Sequence, residues 1–291
     1  RDIYSNSVWH TNNIKYEMAA VLYNVASLHS KLGVEELRVD PESMKLACTH
    51  FQCAAWAFGE IKNQFGSLLR DDLAAELLIF KQQICFAQAQ ECILEKSLAD
   101  NRKAAIIAKV TAQVISFYNA AMTALFSQNE EGITNGSKVY KEWSKYIKFK
   151  ISYLSSVLFL YQGQHSEEQR KMGERVALYN AACDRLEEAK KEVKGMNQAD
   201  VINEAMVLAT DIIEGKRKNA KQENEFIYHE AIPEISSISA VQGANLVQGI
   251  PFDVTDGQVI GDDIFKRLVP MKAHENLSLY SEEKANILRR L

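Results

Sequence analysis

The sequence predicts a mainly α-helical protein, an array of long antiparallel hairpins of the tetratricopeptide kind with an extended C-terminal segment packed on the helical body. Three observations carry this. The 291 residues include only 4 prolines and 13 glycines, and Pro233, Pro251 and Pro270 all fall in the last fifth of the chain. Everything before them is therefore almost free of strong helix breakers. Apolar residues recur there at three-and-four spacing. The runs between turn signals reach roughly 25 to 30 residues, or about 40 Å of helix. Short connections between helices of that length favour antiparallel pairing, although no strict consensus repeat is present.

The first helix is predicted from Ile14 to Leu32, where Ile14, Met18, Val21, Leu22, Val25, Leu28 and Leu32 follow the helical period and Gly33 supplies a C-terminal cap. The second opens at Asp40-Pro41, a capping residue followed by a first-turn proline. It runs through Met44, Cys48, Phe51, Ala55 and Phe58 to near Gly66. A third is expected from near Asp71 to Ala99 and a fourth from Arg102 to Ser127, joined at Asp100-Asn101 by a turn so tight that the two must pack antiparallel. After a polar loop from Asn129 to Gly136, a fifth helix reaches Gln162. A sixth spans Ser166 to Lys194, with Ser166 and Gln169 as a capping box, and a seventh covers Ala199 to Phe226. Beyond Pro233 the helical period is lost. Ile235, Ile238, Val241, Leu246, Val247, Ile250 and Phe252 need burial, so this stretch is expected to lie against the body. Short helices follow at Asp262 to Leu268 and Ser281 to Leu291.

Composition narrows the function. Lysine and arginine number 34 against 38 acidic residues, a net charge of −4, with no arginine-rich arm to displace counterions from a phosphate backbone. A nucleic-acid partner is thereby excluded. Five scattered cysteines (Cys48, Cys53, Cys85, Cys92, Cys183) are unlike a secreted disulfide framework and indicate reduced thiols in an intracellular protein. The opening Arg1-Asp2-Ile3-Tyr4 lacks an initiator methionine and reads as that of a fragment. Apolar runs such as Tyr153 to Tyr161 fall short of the roughly 20 residues a membrane span needs, so membrane contact is expected to be peripheral.

Catalytic patterns are missing. Cys48, His50 and Cys53 are close in sequence, but offsets of two and five point them to different helix faces, which is poor zinc geometry. No cysteine has the arginine six residues on that a phosphatase loop requires, the five positions being Ala54, Gly59, Glu91, Leu98 and Ala189. A glycine-rich phosphate loop is absent too, so neither a metal nor another cofactor is expected.

Several runs resemble the Bro-one domain family, in family order and over essentially the whole chain. These are Tyr16-Glu17, Leu22-Tyr23-Asn24, Gln88 to Lys96, Ala105 to Lys109, Glu225-Phe226-Ile227-Tyr228 through Pro233, and Leu268-Val269-Pro270-Met271. Cys48 to Ala55 and Leu279 to Ala285 look most like the branch of that family whose members carry a tyrosine-phosphatase domain elsewhere in their chains. The resemblance implies a single curved domain over residues 1–291. Residues 13–227 would form the helical body and 228–291 an extended segment with short helices. Family members begin well before the point where this chain starts, so residues 1–12, and Ile3 to His10 in particular, become the candidate remnant of a small N-terminal sheet, and truncation there is expected to expose apolar surface.

It also implies a non-enzymatic, cytoplasmic scaffold recruited to endosomes, which binds the C-terminal amphipathic helix of an ESCRT-III subunit, and other endosomal adaptors, in sorting receptors into multivesicular bodies. By the same resemblance the apolar floor falls on Ile93, Ile106 and Val110, with Lys96 and Lys45 as charged flanks and Pro41 at an edge that is acidic in other members. Spacing allows this, since Ile106 and Val110 share a helical face and Ile93 and Lys96 lie three apart on the preceding helix. The same three apolar residues would equally fit an ordinary core. Thr49, one turn beyond Lys45, either meets a second partner or is simply exposed. Tyr228 matches a family tyrosine linked to Src-type kinases, and a buried tyrosine bonded to the following loop fits as well. Lys141, Lys145 and Lys148, with Lys150 nearby, form a stripe that could rest on anionic lipid, the alternative to the scaffold reading, or could be solvated lysines over an aromatic face.

Overall fold

The computed structural model describes residues 8, 12–66, 73–126, 138–251 and 267–290. The chain divides into two compact units, Arg1–Pro251 and Phe252–Leu291. Among the described residues the first unit holds α1 (Ile14–Glu35), α2 (Pro41–Phe65), α3 (Ala75–Ala99), α4 (Ala104–Phe126), α5 (Lys138–Glu168), α6 (Met172–Val193) and α7 (Ala199–Glu223). The second holds α8 (Met271–Arg290). No strand occurs among the described residues. Apart from Val8, the candidate sheet remnant from Ile3 to His10 lies outside them, as does the polar loop after α4.

Each helix of the first unit packs chiefly on the helix before it and the helix after it, the succession that defines a hairpin array. Local signals set most of the boundaries. Asp40 caps α2 by accepting from the backbone N–H groups of Glu42 and Ser43, Ser43 Oγ returns the bond to the Asp40 N–H, and Pro41 fits the first turn. Asn101 takes a left-handed conformation (φ 48°) that reverses the chain between α3 and α4.

Three boundaries differ from the sequence reading. Gly33 does not end α1, which continues to Glu35. A Cβ at Gly33 would stand 2.9 Å from the Phe51 ring, so this glycine is a contact point between α1 and α2. Ser166 is no helix cap. It is buried in the last turn of α5, which runs past Gln162 to Glu168, and the chain turns at Arg170 (φ 59°) before α6 begins at Met172. In the second unit, helix starts directly after Pro270, ten residues before the expected Ser281, while residues 262–266 of the other expected short helix lie outside the described residues.

One core fills the space among α3, α4 and α5 around Phe80, Leu94, Ile107, Val114, Tyr118 and Ile147, and a second joins α5, α6 and α7 around Val176, Tyr179, Leu186 and Ile213. Inside the first lies a polar cluster. Lys150 Nζ is 2.8 Å from Glu91 Oε1, and the Tyr118 hydroxyl donates to the same carboxylate at 3.0 Å. Burial opposes the charge on Lys150, but the Glu91 carboxylate outweighs it and holds the ammonium above its ordinary range. By length and composition α4 is apolar enough to cross a membrane, contrary to the sequence reading. Its packing between α3 and α5 makes it instead the central helix of this core. Only Ala19, Ala26 and Gly33 of α1 are buried, which leaves Ile14, Met18, Val21, Leu28 and Leu32 exposed.

After α7 the chain makes a π-helical turn, Asn224–Tyr228, a 3-10 turn, Ile235–Ser237, and then an extended strap across α4, α3 and α2. Every second amide of the strap donates inward, from Ala244 to the Lys109 carbonyl, Leu246 to Gln90 Oε1, Gln248 to Gln52 Oε1 and Ile250 to the Gln52 carbonyl. An extended chain turns successive N–H groups to opposite sides, which accounts for the period of two. Of the apolar residues expected to be covered here, Val247 is buried among Ala47, Phe51, Ala89 and Cys92. Ile238, Val241 and Ile250 are half-buried, Ile235 and Leu246 stay exposed, and Phe252 lies outside the described residues.

Candidate functional site

The strap organises the face on which the predicted groove residues lie. Gln82 donates to the Ala55 carbonyl, and Ala47 and Phe51 meet Ala89 and Cys92, so α2 runs antiparallel to α3; α4 does the same on the other side through the Asp100-Asn101 turn. Gln52, Gln90 and Lys109 hold the strap on α2, α3 and α4. Thr49, Ile93 and Ile106 each lie three residues away, before the anchor on α2 and α4 and after it on antiparallel α3. All three offsets therefore run towards the same end. Because residues three apart share a helical face, the three form a row one turn from the strap and parallel to it.

Ile106 is 44% exposed and Ile93 half-buried against the core around Val247, so both offer apolar surface. Val110 does not. At 1% exposure it belongs to the core among α3, α4 and α5, and this corrects the sequence reading. Leu246, exposed on the strap and held through its N–H to Gln90, adds apolar surface that the reading missed. Lys45, Lys96, Lys103 and Lys109 are exposed around the row and make its rim basic. Pro41 sits exposed at the first turn of α2. The Thr49 hydroxyl donates to the Lys45 carbonyl at 2.9 Å, which spends its proton within its own helix. Arg38 pairs with Glu95 at 3.1 Å, tying the α1–α2 connection to α3 beside Lys96.

The other predicted residues lie elsewhere. Lys145 donates to the Lys194 carbonyl at the end of α6, so of the lysine stripe only Lys141 and Lys148 point freely to solvent, and Lys150 is in the buried pair with Glu91. Tyr228 is 45% exposed on the π-helical turn beside exposed Phe226 and Ile227, not buried against the following loop. Asn224 fixes this turn by exchanging two hydrogen bonds with the backbone of Glu230, whose carboxylate accepts from the Gly173 N–H at 2.7 Å.

Thiol chemistry is disfavoured by environment. Burial pushes the Cys48 thiol up to about 11 and those of Cys85 and Cys92 up to about 12, so they stay protonated at neutral pH. His50 stands against His29 of α1, Nδ1 to Nδ1 at 3.0 Å, while Cys48 packs at the core between α2 and α3, so Cys48, His50 and Cys53 do not converge. Among the described residues no three metal-ligating side chains are placed to hold an ion.

Residues 1–288 match the BRO1-like domain family. The chain belongs to that family. It is 44% identical over 290 residues to mouse (Mus musculus) tyrosine-protein phosphatase non-receptor type 23, covering all of this chain and 17% of the phosphatase, which agrees with the branch suggested by the sequence. It is 30% identical over 284 residues to the vacuolar protein-sorting protein bro1 of Aspergillus fumigatus, covering 95% of this chain and 28% of that protein. The chain thus spans less than a third of either relative. Among solved structures, the ALIX BRO1 domain in complex with CHMP4C superposes with a TM-score of 0.76 at 24% identity, covering 92% of this chain and 74% of that one, which establishes the helical-array fold.

Proposed function

We propose that this BRO1-like chain forms one non-enzymatic scaffold domain over residues 1–291, cytoplasmic and recruited to endosomes, that captures the C-terminal amphipathic helix of an ESCRT-III subunit during receptor sorting into multivesicular bodies. The reading rests on the row of Thr49, Ile93 and Ile106 beside the strap, apolar at its centre and ringed by Lys45, Lys96, Lys103 and Lys109. Such a surface suits a helix with an apolar stripe and acidic flanks. The ALIX BRO1 domain, of the same fold, forms a complex with CHMP4C, and the fungal relative is named for vacuolar protein sorting. Other endosomal adaptors with short apolar helices would compete for the row. Anionic lipid is the weaker reading because Lys145 is already engaged. Tyr228, exposed on a fixed turn, is open to a tyrosine kinase.

A single helix with few anchors binds with about −8 kcal/mol, roughly micromolar. Titration of a labelled ESCRT-III C-terminal helix should give that affinity for the parent chain, and Ile106→Asp should abolish binding while leaving the helical circular dichroism intact. Retained binding by a folded Ile106→Asp variant would remove the row as the site.

A further inference from the structure

On the side of α3 away from the strap, α1, α2, α3 and α5 leave a cavity of about 450 Å³. Lys81 and Gln90 are nine residues apart, about two and a half turns, so they point to opposite sides of α3. Five aromatic side chains are among its lining residues, Tyr146 and two packed pairs. Phe80 stacks on Trp143 at 4.9 Å, and Tyr23 meets Phe58 edge-on at 5.6 Å. Among the described lining residues Lys81 is the one cation. Its ammonium lies 4.5 Å from the centre of the Tyr23 ring and donates to the Tyr23 hydroxyl at 2.6 Å, and Ser27, Ser30 and Gln88 also line the cavity.

We propose that this cavity is a binding site for a small amphipathic anion, an acyl or aromatic chain bearing one carboxylate. The volume is that of ordinary ligand pockets, roughly 300 to 1,000 Å³. Its walls are mostly hydrocarbon and aromatic, which favours an apolar body. A carboxylate in such surroundings needs a charge-assisted partner, and Lys81, held over Tyr23, supplies it at one end. Phe80, Trp143 and Ile147 receive the chain at the other. Helix capture at the row on α2, α3 and α4 uses none of these side chains, so the two activities are independent.

The test uses the full 291-residue chain and 11-bromoundecanoate below its micellar concentration, because bromine quenches tryptophan only on contact. The expected result is saturable, one-to-one quenching, lost in Trp143→Phe although calorimetry still detects binding. Lys81→Met should weaken binding at least tenfold, Lys81→Arg should retain most of it, and Ser27→Phe, which fills the cavity, should abolish it. Circular dichroism certifies each variant as folded, and Ser27→Phe decides the matter if Lys81→Met is not. Absence of saturable quenching in the parent would overturn the proposal. So would binding that is indifferent to Ser27→Phe, which would place the acid on the exposed apolar residues of α1.

Discussion

Gln90 is 0% exposed, and both ends of its amide are spent on the strap, Nε2 to the Ala244 carbonyl at 2.9 Å and Oε1 from the Leu246 N–H at 3.2 Å. Gln90→Met keeps the volume and removes both bonds. If the strap stayed in place, one carbonyl and one N–H would face a thioether with no water to replace the amide, at about 1 to 3 kcal/mol each. Lifting the strap instead would re-expose Val247, about 2 kcal/mol. It would also release the amides of Ala244, Gln248 and Ile250, each worth about 1 kcal/mol. The cheaper course sets the cost, so the segment should lose about 2 to 5 kcal/mol of local stability, roughly 30- to 5,000-fold in opening equilibrium. Native-state hydrogen exchange reads this directly. Protection at Ala244, Leu246, Gln248 and Ile250 should fall by that factor, while amides in the core of α5 and α6 change little. Unchanged protection at the strap would mean that Gln90 does not hold it. An equal loss throughout the chain would mean that the strap is part of one cooperative unit and not a separate latch.

Val110→Asp should unfold the domain, since it places an unpaired carboxylate among Leu94, Ile107 and Val114 at a cost above about 4 kcal/mol, whereas Ile106→Asp should stay folded; thermal melts followed by circular dichroism distinguish the two, and equal melting would remove the distinction between core and row. Gly163→Ala puts a Cβ 2.5 Å from the Tyr179 ring and should lower stability by about 1 to 3 kcal/mol in urea denaturation; a neutral effect would show that α5 and α6 separate easily there. Burial, and then the neighbouring charge of His50, lowers the pKa of His29, and burial lowers His50 despite Glu36. Depressed folded values mean that this contribution is complete above the ordinary value of 6.5 and is lost as pH falls below it, so the melting temperature should drop between pH 7 and 5, less steeply in His50→Gln; equal slopes in parent and variant would exonerate the pair.

The helices were legible because their signals are local. Periodicity, the Asp40 cap and the Asp100-Asn101 reversal depend on residues a turn or two apart, and the structure keeps all of them. Errors arose where a residue's role is set by a distant segment. Gly33 looks like a helix end until Phe51 is seen against it, and Ser166 looks like a cap until α5 is seen running through it. Lys145 and Lys150 read as one exposed stripe with Lys141 and Lys148, but the carbonyl of Lys194, 49 residues on, and the carboxylate of Glu91, 59 residues back, take them out of it.

The candidate site divides along the same line. Resemblance carried Ile93, Ile106 and Val110 over as a set, and four-residue spacing made Ile106 and Val110 look equivalent. Which of the two is exposed depends on how α4 is rotated between α3 and α5, and that is fixed by the whole core, not by the interval between them. The sequence does not single out Gln90, because Gln82, Gln83, Gln88 and Glu91 lie on the same helix; its complete burial in the structure is what marks it as the strap's anchor. A polar side chain with four hydrogen-bonding positions is tolerated there only if something arrives to use them, and what arrives comes from more than 150 residues away. The exposed apolar row proposed as the site is therefore a property of three helices and a returning segment together, which is why a residue on the strap, Leu246, adds to that surface while Val110, on the helix itself, does not.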